Sequence, residues 1–285
     1  MQVLSTVLGS HNLDEFLEKF FNRLPLVTSG YAKDYQDHLN WKVIEEILKE
    51  KKSILRIVKN AQMVKDYANC SFQEARDYYN SGHSLVIKNS EKSHPLLHNL
   101  AVQFSSFFFG AVDIQVFCTP PQSVGFGWHY DVEDVFIFQT QGSKHFTLRQ
   151  NTVHPNPTLT SLPKDLGFEK EKSDLFVNVT LKEGDWLYIP SGWWHKAETT
   201  DEGSMHISLG VLAKSAIDIL PHLKKELSQN FSWRTRLPLY HKFSSPEEEV
   251  TFYQEGMKEL GEHLVSKASD PEFIKYLLLA LRQDL

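Results

Sequence analysis

The chain has 285 residues, enough for one large domain with an appendage and for a sizeable core. Its 41% hydrophobic and 12% aromatic content, with only 14 Gly and 12 Pro, excludes a disordered, collagen-like or low-complexity protein. A formal charge of −6, from 30 Lys and Arg against 36 Asp and Glu, and a pI near 6.1 argue against a surface that neutralises nucleic-acid phosphates.

Leu13, Phe16, Leu17, Phe20 and Phe21 recur at helical spacing before Pro25, and residues 41–51 carry a second amphipathic pattern. Both are expected to be helices that cover a core. Residues 53–58 and 84–87 read as short strands, separated by a helix that opens on the capping box Ser71-Phe-Gln-Glu74 and ends at Gly82. From 112 to 212 the chain becomes a series of β-rich runs at 112–119, 135–140, 145–148, 175–181, 185–189 and 205–211, the texture of a barrel or sandwich. Gln141-Gly142-Ser143 and Lys182-Glu-Gly-Asp185 read as hairpin turns. After Lys214 the pattern is helical, over 216–227, from Pro246 behind a Ser245 N-cap, and from Pro271 to 282, with a joint at 243–246. The expected division is a barrel-bearing domain at 1–213 and a helical region at 214–285.

Cys70 and Cys118 are too few for a disulfide framework, and there is no Cys-x-x-Cys spacing. No signal-peptide pattern and no apolar run near 20 residues occurs. A soluble, cytoplasmic protein that engages neither membrane nor nucleic acid is therefore expected.

The chemistry concentrates in Gly127-Trp-His129-Tyr-Asp131 and, 66 residues after the first His, Gly192-Trp-Trp-His195. Residues i and i+2 of an extended segment point the same way, so His129 and Asp131 can converge on one point, and a barrel can bring His195 opposite them. Two His and one carboxylate with open coordination positions suit a non-haem Fe(II) oxygenase. Lys144 follows the first His by 15 residues. The string from Thr119-Pro-Pro through His129-Tyr-Asp131 to Gly142-Ser-Lys144, with Gly-Asp-Trp-Leu-Tyr-Ile-Pro190-Ser-Gly-Trp-Trp-His195, resembles the cupin-like JmjC group of Fe(II)/2-oxoglutarate oxygenases. Within that group it is most similar to the ribosomal oxygenases and related protein hydroxylases.

That resemblance implies a mainly β fold, a double-stranded β-helix (jelly-roll) barrel with N-terminal flanking helices and a C-terminal helical appendage. It implies His129, Asp131 and His195 as metal ligands and catalytic centre, and Lys144 as the partner of the distal carboxylate of 2-oxoglutarate. A charged donor is the physical requirement for holding a carboxylate in a partly dry barrel. Gln115 stands where the ribosomal oxygenases tend to carry Asn, one methylene shorter. In Met205-His-Ile-Ser-Leu-Gly210, alternation puts His206, Ser208 and Gly210 on one face, where His206 or Ser208 would bond cosubstrate or satisfy the sheet. Fe(II), 2-oxoglutarate and O2 would convert a substrate C–H to C–OH with release of succinate and CO2. The Asp in His-x-Asp favours a hydroxylase acting on a protein or peptide; a small-molecule hydroxylase and a non-catalytic cupin-like binding module are the rivals.

Trp128, Trp193 and Trp194 suit either a substrate cage or rim packing. Asp134 suits either orientation of a metal ligand or a solvent-facing position. His83, His145 and His154 lack partners at ligand spacing, and Cys118 reads as a buried small hydrophobe. Val250, Tyr253, Met257, Leu260 and Leu264 form an apolar helical stripe that would either make a homodimer, as the resemblance implies, or pack on the chain's own barrel.

Overall fold

The computed structural model describes residues 2–152, 156–159, 174–237 and 243–283. It divides into two compact units, residues 1–213 and 214–285.

In the first unit, α1 (Gln2–Val7) is followed by α2 (Leu13–Glu15), which runs into a π-helical turn at Phe16–Phe20. The Asn12 side chain accepts the Glu15 N–H at 2.8 Å to start α2. Asn40 starts α3 (Trp41–Lys49) by accepting the N–H groups of Lys42 and Val43, and α3 buries Val43, Ile44, Ile47 and Leu48 along one side. The Ser71–Glu74 capping box forms in full at the head of α4 (Phe72–Asn80), and Gly82 follows with φ +80°. A further helix, α5 (Pro95–Phe108), was not anticipated in the sequence. Its Ser-Ser-Phe-Phe-Phe ending reads equally well as strand, yet Leu97, Leu100, Ala101, Phe104 and Phe108 all face the core, and Pro95 sits at a first-turn position.

Eleven strands are described: β1 (Leu26–Thr28), β2 (Ile54–Lys59), β3 (Gln62–Tyr67), β4 (Ser84–Lys88), β5 (Gly110–Thr119), β6 (Asp134–Gly142), β7 (Lys144–Arg149), β8 (Leu175–Leu181), β9 (Trp186–Ile189), β10 (Trp194–Glu198) and β11 (Ser204–Ala213). They form an eight-stranded sheet in the order β1-β9-β6-β11-β5-β4-β2-β3 and a three-stranded sheet in the order β10-β7-β8. Every pairing within them is antiparallel. This is the expected jelly-roll arrangement with flanking helices.

Neither anticipated hairpin is one. β6 belongs to the large sheet and β7 to the small, and β8 and β9 are divided in the same way, so both turns carry the chain between sheets. The same residues serve either purpose, because a tight reversal needs glycine whichever strand comes next. Gly142 has φ +64° and lies so near the chain at Gly203 that a Cβ would collide with its carbonyl oxygen. In the second turn Gly184 has φ +84°, and Asp185 caps the loop by accepting the Lys182 N–H at 2.8 Å.

Period-two alternation sorts the side chains of the large sheet. Ile114, Val116 and Cys118 of β5 and Met205, Ile207, Leu209 and Val211 of β11 join the core shared with α3 and α5. The opposite face looks toward the small sheet, where Val135, Ile137, Phe146, Leu148, Leu187 and Trp193 form a second cluster.

In the second unit a 3-10 turn (Ala216–Ile219) leads into α6 (Leu220–Leu227), followed by α7 (Phe231–Arg234), α8 (Pro246–Ala268) and α9 (Pro271–Gln283). Ser245 caps α8, accepting the Glu248 N–H at 3.2 Å, with Pro246 next in the chain. Leu223, Leu227, Phe273 and Leu277 make a small core with Leu264 packed against it. No described residue of α8 is fully buried, and Val250, Met257, Val265, Ile274, Leu278 and Leu279 are exposed. Among the described residues no helix is long and apolar enough to cross a membrane.

Candidate active site

His129 and Asp131 lie on the segment that leads into β6, and His195 lies on β10. The main chains of the two histidines exchange hydrogen bonds, His129 N–H to His195 O at 3.1 Å and His195 N–H to His129 O at 2.8 Å. Their rings are thereby held with centroids 4.2 Å apart. Each Nδ1 faces a backbone carbonyl, Gly127 O at 2.7 Å and Trp193 O at 3.0 Å. A proton on Nδ1 satisfies that carbonyl and leaves the Nε2 lone pair for a ligand. Asp131 Oδ2 stands 3.9 Å from Nε2 of His129 and 3.5 Å from Nε2 of His195. Ligand atoms of all three lie within 4.8 Å of one another. Burial, reinforced by the neighbouring His129, pushes His195 down to about 4, so its imidazole stays neutral near pH 7. Two imidazoles with Nε2 turned inward and a carboxylate are a donor set that suits a divalent iron-type ion.

The three residues open on a cavity of about 600 Å³ between the sheets. Lys144 lines it although only 1% exposed. Its Nζ donates to Thr119 Oγ1 at 3.0 Å and lies 5.4 Å from the centre of the Phe117 ring. Burial pushes the ammonium down to about 7, with the Cys118 thiol beside it acting weakly in the other direction. Gly125 leaves room above Nζ, for a Cβ there would come to 3.7 Å. Gln115 and Ser208 are cross-strand partners, and both line the cavity, as does His206. The Gln115 amide donates to Asp113 Oδ2 at 2.8 Å. Thr119, Phe117 and Asp113 were missed in the sequence, although period-two counting back from the turn at Pro120 puts 113, 115, 117 and 119 on one face.

Other candidates lie elsewhere. Asp134 does not face solvent: it is buried, accepts the Tyr188 O–H and, at 3.4 Å, the Ser191 N–H. Burial raises its carboxyl to about 6. Trp193 and Trp194 are packed against Phe176 and Tyr130, which leaves Trp128 alone of the three on the cavity wall. His83 bonds Ser81, and His145 bonds Thr180 and Asn178; His154 lies outside the described residues. Cys70 and Cys118 are both free and buried, and burial pushes the Cys118 thiol up to about 12.

Residues 91–219 match the JmjC domain family, which fits the two-sheet barrel and its two-His, one-Asp cluster. The match is to JmjC domains, of the cupin-like class, over a little under half of the chain, and it takes in β5 to β11 with all three residues of the cluster. Within that class the likeness is to proteins of the ribosomal-oxygenase type. The chain is 32% identical over 170 residues to the bifunctional lysine-specific demethylase and histidyl-hydroxylase NO66 of Drosophila persimilis, a match covering 57% of this chain and 24% of that protein. It is 27% identical over 242 residues to the protein of the same name from Culex quinquefasciatus, covering 79% of this chain and 37% of that one. The chain thus spans well under half the length of these curated relatives. The ribosomal oxygenase YcfD of Escherichia coli, solved with cobalt and 2-oxoglutarate, superposes with a TM-score of 0.63 at 19% identity, covering 96% of this chain and 71% of that one.

Proposed function

We propose that this protein is an Fe(II)- and 2-oxoglutarate-dependent oxygenase that hydroxylates a side chain of a protein or peptide. The observation that carries this is one cavity holding both a cluster of two imidazoles and a carboxylate and, apart from it, a buried lysine that no carboxylate balances among the described residues. In this proposal His129, Asp131 and His195 hold the iron, their backbone-anchored Nδ1 atoms keeping Nε2 aimed at it. Lys144, steadied by Thr119, holds the distal carboxylate of 2-oxoglutarate. Gln115 and Ser208, facing each other across β5 and β11, offer polar contacts to cosubstrate or substrate. When bound, iron, 2-oxoglutarate and O2 supply the conversion of C–H to C–OH, with succinate and CO2 as co-products.

A polypeptide substrate is supported by the activities for which the similar proteins are named, a histidyl-hydroxylase and a ribosomal oxygenase. A homodimer through α8 and α9, and a reducing cytoplasmic location in keeping with two free cysteines, belong to the same proposal. The test is an anaerobic titration of metal-free protein with Fe(II) and 2-oxoglutarate, following the weak visible charge-transfer band of the chelate. Wild type is expected to give the band and Asp131→Ala none. A folded wild type without a band would overturn the proposal and leave a binding module.

A further inference from the structure

His206 is a polar ring in an aromatic setting. It is 3% exposed, lines the cavity, stacks on Phe117 at 4.7 Å with 9° between ring planes, and meets Phe146 edge-on at 6.0 Å. Its Nδ1 is buried and has no hydrogen-bond partner among the described residues. A buried imidazole left unsatisfied is costly, and an apolar residue would pack between two phenylalanines as well or better. Phe117 links it to Lys144, whose ammonium lies over the same ring.

We infer that His206 is a second donor to the distal carboxylate of the cosubstrate, completing with Lys144 a pocket selective for a dicarboxylic 2-oxoacid. This rests on the oxygenase proposal above. The backbone holds the residue in place for that role. The β11–β5 register runs unbroken, Met205 opposite Cys118 and His206 opposite Phe117, so the ring cannot leave the cavity face without moving the strand. On the other side the β11–β6 register slips between Met205 and His206, and the Thr140 hydroxyl closes the irregularity by donating to Met205 O at 2.9 Å. Such a bulge beside a site re-aims the side chain next to it. Burial and the neighbouring Lys144 both hold the imidazole neutral. It therefore brings an N–H and no second charge, and the lysine alone balances one carboxylate. The two donors suit the two oxygens of a carboxylate, which accepts from both.

The test compares 2-oxoglutarate with 2-oxovalerate, which chelates iron in the same way but ends in a methyl group. Both are titrated anaerobically into Fe(II)-loaded wild type, His206→Leu and His206→Gln. His206→Leu is expected to weaken 2-oxoglutarate at least tenfold, with 2-oxovalerate and Fe(II) affinity unchanged, and His206→Gln to recover part of the loss. Binding of 2-oxoglutarate to His206→Leu within twofold of wild type, or equal weakening of both 2-oxoacids, would overturn the inference. Should His206→Leu not fold, ¹⁵N-histidine spectra of the Zn(II)-loaded wild type decide. A ring signal that moves with 2-oxoglutarate and not with 2-oxovalerate supports it, and one that moves with neither overturns it. Wild type that binds no 2-oxoglutarate at all sinks the oxygenase proposal itself, a result distinct from any of these.

Discussion

Lys144 is buried, its ammonium donating to the Thr119 hydroxyl with no carboxylate against it among the described residues, and that makes its energetics measurable. Burial holds its pKa near 7 in the folded protein, whereas the unfolded chain has a value of about 10.4. Below pH 7 both states bind the proton and the full cost of the buried charge is present, on the order of a few kcal/mol. Between about pH 7 and pH 10 the unfolded chain binds more protons, so native stability rises with pH. Lys144→Met should therefore be more stable than wild type in urea unfolding at pH 6, with the gap narrowing by pH 10, and should lose 2-oxoglutarate binding while keeping the metal. A constant gap would mean that the ammonium is not isolated. Conversely, a carboxylate placed against Lys144 restores its charge, with Cys118 and His206 the titratable groups that act on it or are acted on by it among the described residues. Cosubstrate binding above pH 7 should then take up close to one proton by about pH 8.5, read from calorimetry in buffers of different ionisation enthalpy. At this scale the ligand-type residues were legible, because His129 and Asp131 sit at i and i+2 and Lys144 sits at a fixed offset. Pairings such as Thr119 with Lys144 and Phe117 with His206 were not, because they depend on cross-strand register, which one sequence does not specify.

Asp134 shows how an element can be held by a residue remote from the chemistry. Its carboxyl takes the Tyr188 O–H from β9 and the Ser191 N–H from the turn beyond, while Ser191 Oγ donates to Val132 O at 2.8 Å and Gly192 N–H to Asp131 O at 2.8 Å. The turn that leads to His195 is thereby tied to the loop that bears Asp131. Tyr188 also accepts the Asn22 N–H at 2.9 Å, which brings the N-terminal segment into the same network. Asp134→Ala should leave the Tyr188 hydroxyl and the Ser191 amide short of a partner and cost about 2–3 kcal/mol by denaturant unfolding. It should also weaken metal binding roughly tenfold, as loss of outer support for ligands does. Asp134→Asn, which keeps an acceptor, should recover most of both; an Ala variant with wild-type metal affinity would show that the tie does not position the ligands. Elements with strong local signals, such as the Ser71 capping box and the β-branched runs, were readable in the sequence. Those that depend on tertiary context were not. The glycine turns at 142 and 184 carry reversal signals but not the identity of the sheet that receives the chain. β10 has no alternating apolar pattern, because His195 and Ala197 face the cavity and Trp194 packs on Tyr130.

For the molecule as a whole, the jelly-roll barrel was anticipated from its motifs, while the partner of the C-terminal helices was left open between a second copy and the chain's own barrel. α8 and α9 expose Val250, Met257, Val265, Ile274, Leu278 and Leu279, with Val265 at 67% and Leu279 at 59%. Between them these two helices bury only Phe273 and Leu277 among the described residues, and the outward apolar surface they carry is what the proposed homodimer would cover. A homodimer that covers them should show a mass in light scattering twice the 32.9 kDa of one chain. Val265→Glu combined with Leu279→Glu should halve that mass. Both side chains are already solvent-exposed within one chain, so the exchange should change monomer stability by no more than about 0.5 kcal/mol. A wild type that runs at 32.9 kDa at micromolar concentration, or a double variant that stays at twice that mass, would rule out these faces as the dimer contact.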